Sequence, residues 1–310
     1  MTTFDHYNFR AACMGNDLEK LQIMLTQDTK GNLWKSIKKL TNCIKPKPNI
    51  NKIEKIDFNE GDQYGQTGFY YACWKGNESV VKFLLEHSRL LKLDLNKGNV
   101  IGLTGFHIAC DKGHENIVHM LVNSADKYAI DLKLKNIYGY TGFGIYFRKI
   151  CDTGDLQKLK NLLKFRNKID FNESDSHGRT GFFYACWKGH ELVVKFLLDH
   201  SQLLNLDLNK ANEDGWTGFH MACIENNKNI VHLLVNAADK HDINLKLKDK
   251  NGYTGLGIYF RRICETGDLQ KLEKLLDGKD KIDRNQCDTN DNSRSHYTFR
   301  NGHESIVKFL

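Results

Sequence analysis

Six Thr-Gly pairs followed by Phe or Leu punctuate this chain, at Thr67, Thr104, Thr141, Thr180, Thr217 and Thr254, with spacings of 37, 37, 39, 37 and 37 residues. A fixed period of that length marks an array of small units, none of which buries its apolar face alone. A longer period lies above it. Residues 57–169 match residues 170–282 at an offset of 113 with 76 identities, so a block of three unlike repeats occurs twice.

The stretch from Asp175 to His200, DSHGRTGFFYACWKGHELVVKFLLDH, displays the unit. Thr180 is placed to cap a short helix whose apolar face is Phe182, Ala185 and Cys186, and Gly189 is placed to end it in a left-handed conformation. A second helix follows, with Val193, Val194, Phe196 and Leu197 predicted inside and Lys195 in water. Each repeat closes in an alternating stretch, such as IDLKLKN at 130–136 or LDLNKAN at 206–212, which suits an extended hairpin arm. The third member of each block has four more residues between Thr141 and Gly154 than separate Thr104 from Gly113, so its first helix should be one turn longer. The expected class is all-α: a helical-repeat solenoid with short β-hairpin or extended loops between helix pairs.

Residues 1–27 carry FRAACMGNDLEKLQIML, which keeps the two-helix pattern without a Thr-Gly entry and reads as an N-terminal capping repeat. Residues 28–56 are a basic, Lys-rich insertion holding both prolines, Pro46 and Pro48. Residues 57–310 form the array proper, about seven repeats with the last incomplete, because Ser293-Arg294-Ser295 replaces Thr-Gly-Phe there. A final helix ending in Phe309-Leu310 offers no polar cap, so the sequence reads either as part of a longer array or as one with a frayed end.

The net charge of +7 sits in one place. Lys30 to Ile56 contains eight Lys and one acidic residue, which leaves 37 basic and 37 acidic residues elsewhere and makes the repeats neutral. Within the insertion, Leu33, Trp34, Ile37, Leu40 and Ile44 share a helical face, with Lys35, Lys38, Lys39, Lys45 and Lys47 around or just beyond it. Either the apolar side packs on the first repeat, or the lysines meet nucleic acid or an anionic membrane. The N-terminal MTTFDHYNFR lacks a secretory pattern, and a cytoplasmic or nuclear location is expected.

The residues resemble the ankyrin-repeat family. Residues 212–234, NEDGWTGFHMACIENNKNIVHLL, follow the family pattern: Asn212 stands for its Asp, Gly215, Thr217 and His220 match, Ala222-Cys223 stands for Ala-Ala, and Ile230-Val231 matches. The resemblance covers nearly the whole chain outside 28–56. It implies an ankyrin-like solenoid, hydrogen bonds from His107 and His220 that tie neighbouring loops, and binding of a protein through a concave face. This chain departs from the pattern in having Gly for Pro after each capping Thr, which is expected to loosen the first turn. Its longer period places an extra turn near the end of the second helix or its loop, and Ile150-Cys151 and Ile263-Cys264 replace the paired alanines.

Seven of nine cysteines, at 13, 73, 110, 151, 186, 223 and 264, occupy one small position of the first helix and read as core packing; Cys43 and Cys287 have no assigned role. His114, His190 and His303 follow the helix-ending Gly and are expected to order that turn, in a place where Asn77, Asp155, Asn227 and Asp268 also occur. A position so freely exchanged is no required general base, and no nucleophile motif, phosphate loop or metal-ligand spacing accompanies it. No enzyme activity, cofactor, metal or small-molecule substrate is expected.

The tryptophans stand outside the repeat core. Trp74-Lys75 and Trp187-Lys188 precede the helix-ending Gly, while Leu103, Tyr140, Arg179, Trp216 and Tyr253 sit immediately before the capping Thr. Aromatic and cationic side chains of this kind are frequent binding anchors. Each ring could instead lie flat on the next repeat. The duplication would set the two Trp-Lys pairs about 30 Å apart, three helix spacings. The expected function is a non-enzymatic scaffold or adaptor that binds a protein through these residues, with nucleic-acid or anionic-membrane binding through 30–55 as the alternative.

Overall fold

The computed structural model describes residues 6–27 and 57–266. The basic insertion, with its lysines and Cys43, and the final incomplete repeat, with Cys287, lie outside the described residues. Two compact units result, Met1–Tyr146 and Phe147–Leu310.

In the first unit, helix pairs follow one another: α1 (His6–Gly15) with α2 (Leu18–Gln27), α3 (Gly68–Lys75) with α4 (Glu78–Glu86), and α5 (Gly105–Lys112) with α6 (Glu115–Tyr128). Helix α7 (Gly142–Thr153) spans the unit boundary. The second unit continues with α8 (Leu156–Leu162) and a 3-10 turn, α9 (Gly181–Lys188) with α10 (Glu191–Asp199), α11 (Gly218–Ile224) with α12 (Lys228–Ala237), and α13 (Gly255–Thr266). At 12 residues, α7 and α13 exceed the 8-residue α3, α5 and α9 by the one turn expected. The described residues form no strand; the hairpin arms carry the isolated bridges Lys135–Thr141 and Lys248–Thr254.

Each capping Thr accepts from the amide three residues on, as Thr67 does from Tyr70 at 3.2 Å and Thr141 from Gly144 at 3.0 Å. Gly189 ends α9 at φ 77°, where a side chain would be strained. In α10 the inner face is Val193, Val194, Leu197 and Leu198. Phe196 is displaced from the expected core: it is half-buried and stacks on His200 at 4.1 Å. The extra turn of the long period follows the second helix, at residues 87–92 in the first array repeat.

The glycine after each capping Thr has a reason other than looseness. A Cβ on Gly105 would stand 2.6 Å from Phe69, and one on Gly218 would stand 2.9 Å from Phe182. The same contact joins Gly68 to Phe9, Gly142 to Phe106, Gly181 to Phe147 and Gly255 to Phe219. Each Phe therefore fills the space that a side chain at the glycine would need, and the bare glycine lets neighbouring repeats pack closely. Six cysteines, Cys13, Cys73, Cys110, Cys151, Cys186 and Cys223, are free and fully enclosed, Cys13, Cys73, Cys186 and Cys223 beside these contacts, and burial pushes their thiols well up.

Hydrogen bonds link each repeat to the next. Asn59 donates to the carbonyl of Lys92 at 2.7 Å and accepts from the amide of Asp94 at 2.7 Å; Asn96, Asn172 and Asn209 repeat this clamp. His114 donates through Nε2 to the carbonyl of Trp74 at 3.0 Å, and His190 to that of Asp152 at 2.8 Å. These histidines thus cap the helix of the preceding repeat, where the sequence reading had them ordering their own turn. Asn77 donates to the carbonyls of Cys13 and Met14 and Asn227 to those of Cys186 and Trp187, and Asp155, which has no donor, caps its own helix by accepting from Lys158.

Candidate functional site

The two Trp-Lys pairs lie in the last turn of α3 and of α9, just before the glycine that ends each helix. Both indoles are half-buried and both lysines exposed. The ammonium of Lys75 lies 4.3 Å from the Trp74 ring and that of Lys188 4.7 Å from the Trp187 ring, within cation–π range. Lys188 also approaches Asp152 at 3.7 Å.

Each pair rests on a tyrosine and an aspartate. Tyr71 lies 5.8 Å from Trp74 and donates its hydroxyl to Asp62 at 2.6 Å; Tyr184 lies 5.7 Å from Trp187 and donates to Asp175 at 2.8 Å. In the second unit Arg179 joins them, donating to Asp175 at 2.8 Å and lying 5.2 Å from the Tyr184 ring and 5.7 Å from Trp187. Burial pushes the Asp175 carboxyl up, but the Arg179 amide, the Tyr184 hydroxyl and the Arg179 guanidinium outweigh it and hold the group below its ordinary 3.8. Burial, and then the bond to the aspartate, pushes Tyr71 and Tyr184 to about 12. The site at neutral pH is therefore a neutral phenol on a carboxylate, under an indole edged by cations.

Sequence reasoning missed Tyr71, Tyr184, Asp62 and Asp175. A signal was present: Asp is followed nine residues later by Tyr at 62 and 71 and again at 175 and 184, whereas the second repeats have Asn99 with Ile108 and Asn212 with Met221.

The remaining candidates are tied into the array. Leu103, Tyr140, Trp216 and Tyr253 are half-buried, and their amides donate to the side-chain oxygens of Asn99, Asn136, Asn212 and Asp249 four residues back, at 2.8–3.0 Å. Trp216 donates its indole N–H to Asp249 of the next repeat at 3.1 Å, so this ring spans two repeats. Tyr140 stacks on Tyr138 at 6.1 Å, and Arg261 lies 5.2 Å from the Tyr253 ring. His107 and His220 donate through Nε2 to the carbonyls of Tyr140 and Tyr253 at 3.0 and 3.3 Å while Nδ1 accepts from the amides of Thr104 and Thr217. That pattern fixes the Nε2–H tautomer of a neutral ring.

Among the described residues, no group of three or more His, Cys, Asp and Glu side chains could hold a metal ion. None of the described helices is long and apolar enough to cross a membrane.

A family model for ankyrin repeats in three copies matches residues 9–135 and 148–249, well over half of the chain. The chain belongs to the ankyrin-repeat family. The solved ankyrin repeat domain of Bcl-3, described as a unique member of the IkappaB protein family, is similar to it with a TM-score of 0.57 and 19% identity. That similarity covers 81% of this chain and 92% of the Bcl-3 domain. A search of curated proteins finds no match. Ankyrin repeats generally mediate protein–protein interaction, and the fold is the helical array that the period predicts.

Proposed function

We propose that this chain is a non-enzymatic scaffold or adaptor that binds a protein partner through the face bearing its first helices and hairpin arms, the concave face of ankyrin arrays. The observation that carries the reading is the recurrence, in both units, of a half-buried indole with an ammonium 4.3 or 4.7 Å from its ring. Such a pair loses little side-chain freedom on binding and offers apolar area beside a cation, which suits a partner carboxylate next to an apolar group. Trp74 and Trp187 are the anchors, with Lys75, Lys188 and Arg179 setting the charge preference.

The test is a crosslinking pull-down from the native cell with the Trp74→Ala and Trp187→Ala chain beside the unaltered one. Loss of the partner with a nearly unchanged melting profile supports the reading. Undiminished capture, or loss of folding, sinks it. A second reading, electrostatic binding of nucleic acid or anionic lipid through Lys35, Lys38, Lys39, Lys45 and Lys47, rests on the segregation of the whole net charge into residues 30–56. It requires steep salt dependence that vanishes when 30–54 are deleted.

A further inference from the structure

The duplicated block carries its own internal control at the hairpin tips. In the first unit the tips present Tyr64, Val100 with Ile101, and Ile137 with Tyr138. Tyr64, Val100, Ile137 and Tyr138 are 55%, 64%, 65% and 58% exposed, among the most exposed large apolar side chains of the described residues. Backbone bonds run them into one edge: the Val100 amide donates to Tyr64 at 3.0 Å and the Ile137 amide to Ile101 at 3.1 Å.

At an offset of 113 the second unit has His177, Glu213, Asp214, Lys250 and Asn251 at the same five positions, with the same bonds from Glu213 to His177 and from Lys250 to Asp214, each 2.9 Å. The backbone is retained and the chemistry inverted. Across residues 61–67, 98–104 and 135–141 there are two charged side chains, and one of them, Asp62, is held by Tyr71; across 174–180, 211–217 and 248–254 there are seven. Apolar exposure at the first edge is therefore a property of these side chains, since the fold accepts polar ones there equally well.

We propose that the tip edge of the first unit, Tyr64, Val100, Ile101, Ile137 and Tyr138, docks a protein segment that presents uncharged apolar side chains, and that the equivalent edge of the second unit does not. This rests on the protein-binding reading above and adds, on the arm tips, a contact separate from the Trp-Lys pairs. Charge complementarity sets the partner's chemistry: a charged group laid on the five tip side chains would lose water, and the tip stretches hold one exposed charge, Lys135, besides the engaged Asp62. Side chains, not strand addition, carry the contact, because all five tip amides are already engaged, those of Tyr64, Ile101 and Tyr138 by Asp62, Asn99 and Asn136 and those of Val100 and Ile137 by the neighbouring tip.

The test uses the full chain and the block's own residues. Random short peptides displayed on phage are panned against the unaltered chain, and the winners are titrated against a tip-exchanged chain carrying Tyr64→His, Val100→Glu, Ile101→Asp, Ile137→Lys and Tyr138→Asn. The expected winners are uncharged and apolar, weaken about tenfold or more on the tip-exchanged chain, and bind the Trp74→Ala and Trp187→Ala chain unchanged. The reverse exchange, His177→Tyr, Glu213→Val, Asp214→Ile, Lys250→Ile and Asn251→Tyr, should raise the stoichiometry from one peptide to two. No enriched peptide, charged winners, or equal binding to the tip-exchanged chain would overturn the proposal. So would flotation of the unaltered chain, but not the exchanged one, on phosphatidylcholine vesicles. Winners lost only with the tryptophans leave the concave-face reading standing without this one; winners indifferent to both sets of substitutions remove both.

Discussion

The ring of Phe69 occupies the space a side chain on Gly105 would need, with Cε1 2.6 Å from the position of the missing Cβ. Phe69 is itself only 3% exposed, so it has nowhere to retreat. Gly105→Ala is therefore expected to destabilise by about 1–3 kcal/mol, although Ala normally improves a helix. Combining it with Phe69→Leu should recover part of the loss, and urea midpoints of the two single variants and the double variant would measure that coupling.

Asn96 both donates to the carbonyl of Ala129 and accepts from the amide of Asp131, each at 2.8 Å. Asn96→Asp keeps the acceptor, loses the donor and sets a carboxylate against a carbonyl. A cost of about 1–2 kcal/mol is expected at neutral pH. The deficit should narrow below about pH 4, where the protonated acid regains a donor. Paired melting curves across that range would check it.

Burial lowers His107 and His220 below the ordinary value of 6.5, offset in part by bonds to neighbouring carbonyls at His107 and by the Asp249 charge and then a carbonyl bond at His220. A depressed folded value means that the unfolded chain takes up the proton first. Stability from these rings is complete above 6.5 and is lost as the pH falls through the lower folded value. The chain with His107→Gln and His220→Gln should be less stable at neutral pH and show a shallower decline on mild acidification, read by thermal melts across that window.

Ala129 closes α6 at φ 53°, a left-handed conformation in which its Cβ is strained. Ala129→Gly should stabilise by about 0.5–1 kcal/mol, since the relief exceeds the entropy added to the unfolded chain. Ala125→Gly, inside the same helix and buried, should instead destabilise by about 1 kcal/mol. The melting temperatures of the two variants should move in opposite directions.

The helices, their caps and the lengthened α7 were legible because each depends on residues within one repeat, and the period multiplies a weak local signal. What escaped reading pairs one repeat with another. The partner of His114 is the carbonyl of Trp74, and a backbone carbonyl leaves no trace in residue identity. The glycine at 105 is intelligible only beside Phe69, 36 residues earlier, and taken alone it reads as looseness. Trp74 and Trp187 stand out as binding candidates by their place outside the repeat core, whereas the Asp-Tyr pairs beneath them required a comparison between repeats. The apolar tips required a comparison between blocks, because a single exposed Val or Tyr is unremarkable by itself.

The caps donated by His114, His190, Asn77 and Asn227 also impose a direction on synthesis. The carbonyl of Trp74 waits for a residue 40 positions downstream, and that of Cys186 for one 41 positions downstream. On a ribosome, each helix capped in this way keeps an open carbonyl end until its successor has left the exit tunnel, whereas α5, whose successor carries Asp155 at that place, waits for no such cap. A pause placed between repeats would leave an open helix end waiting, and the next repeat to emerge would close it.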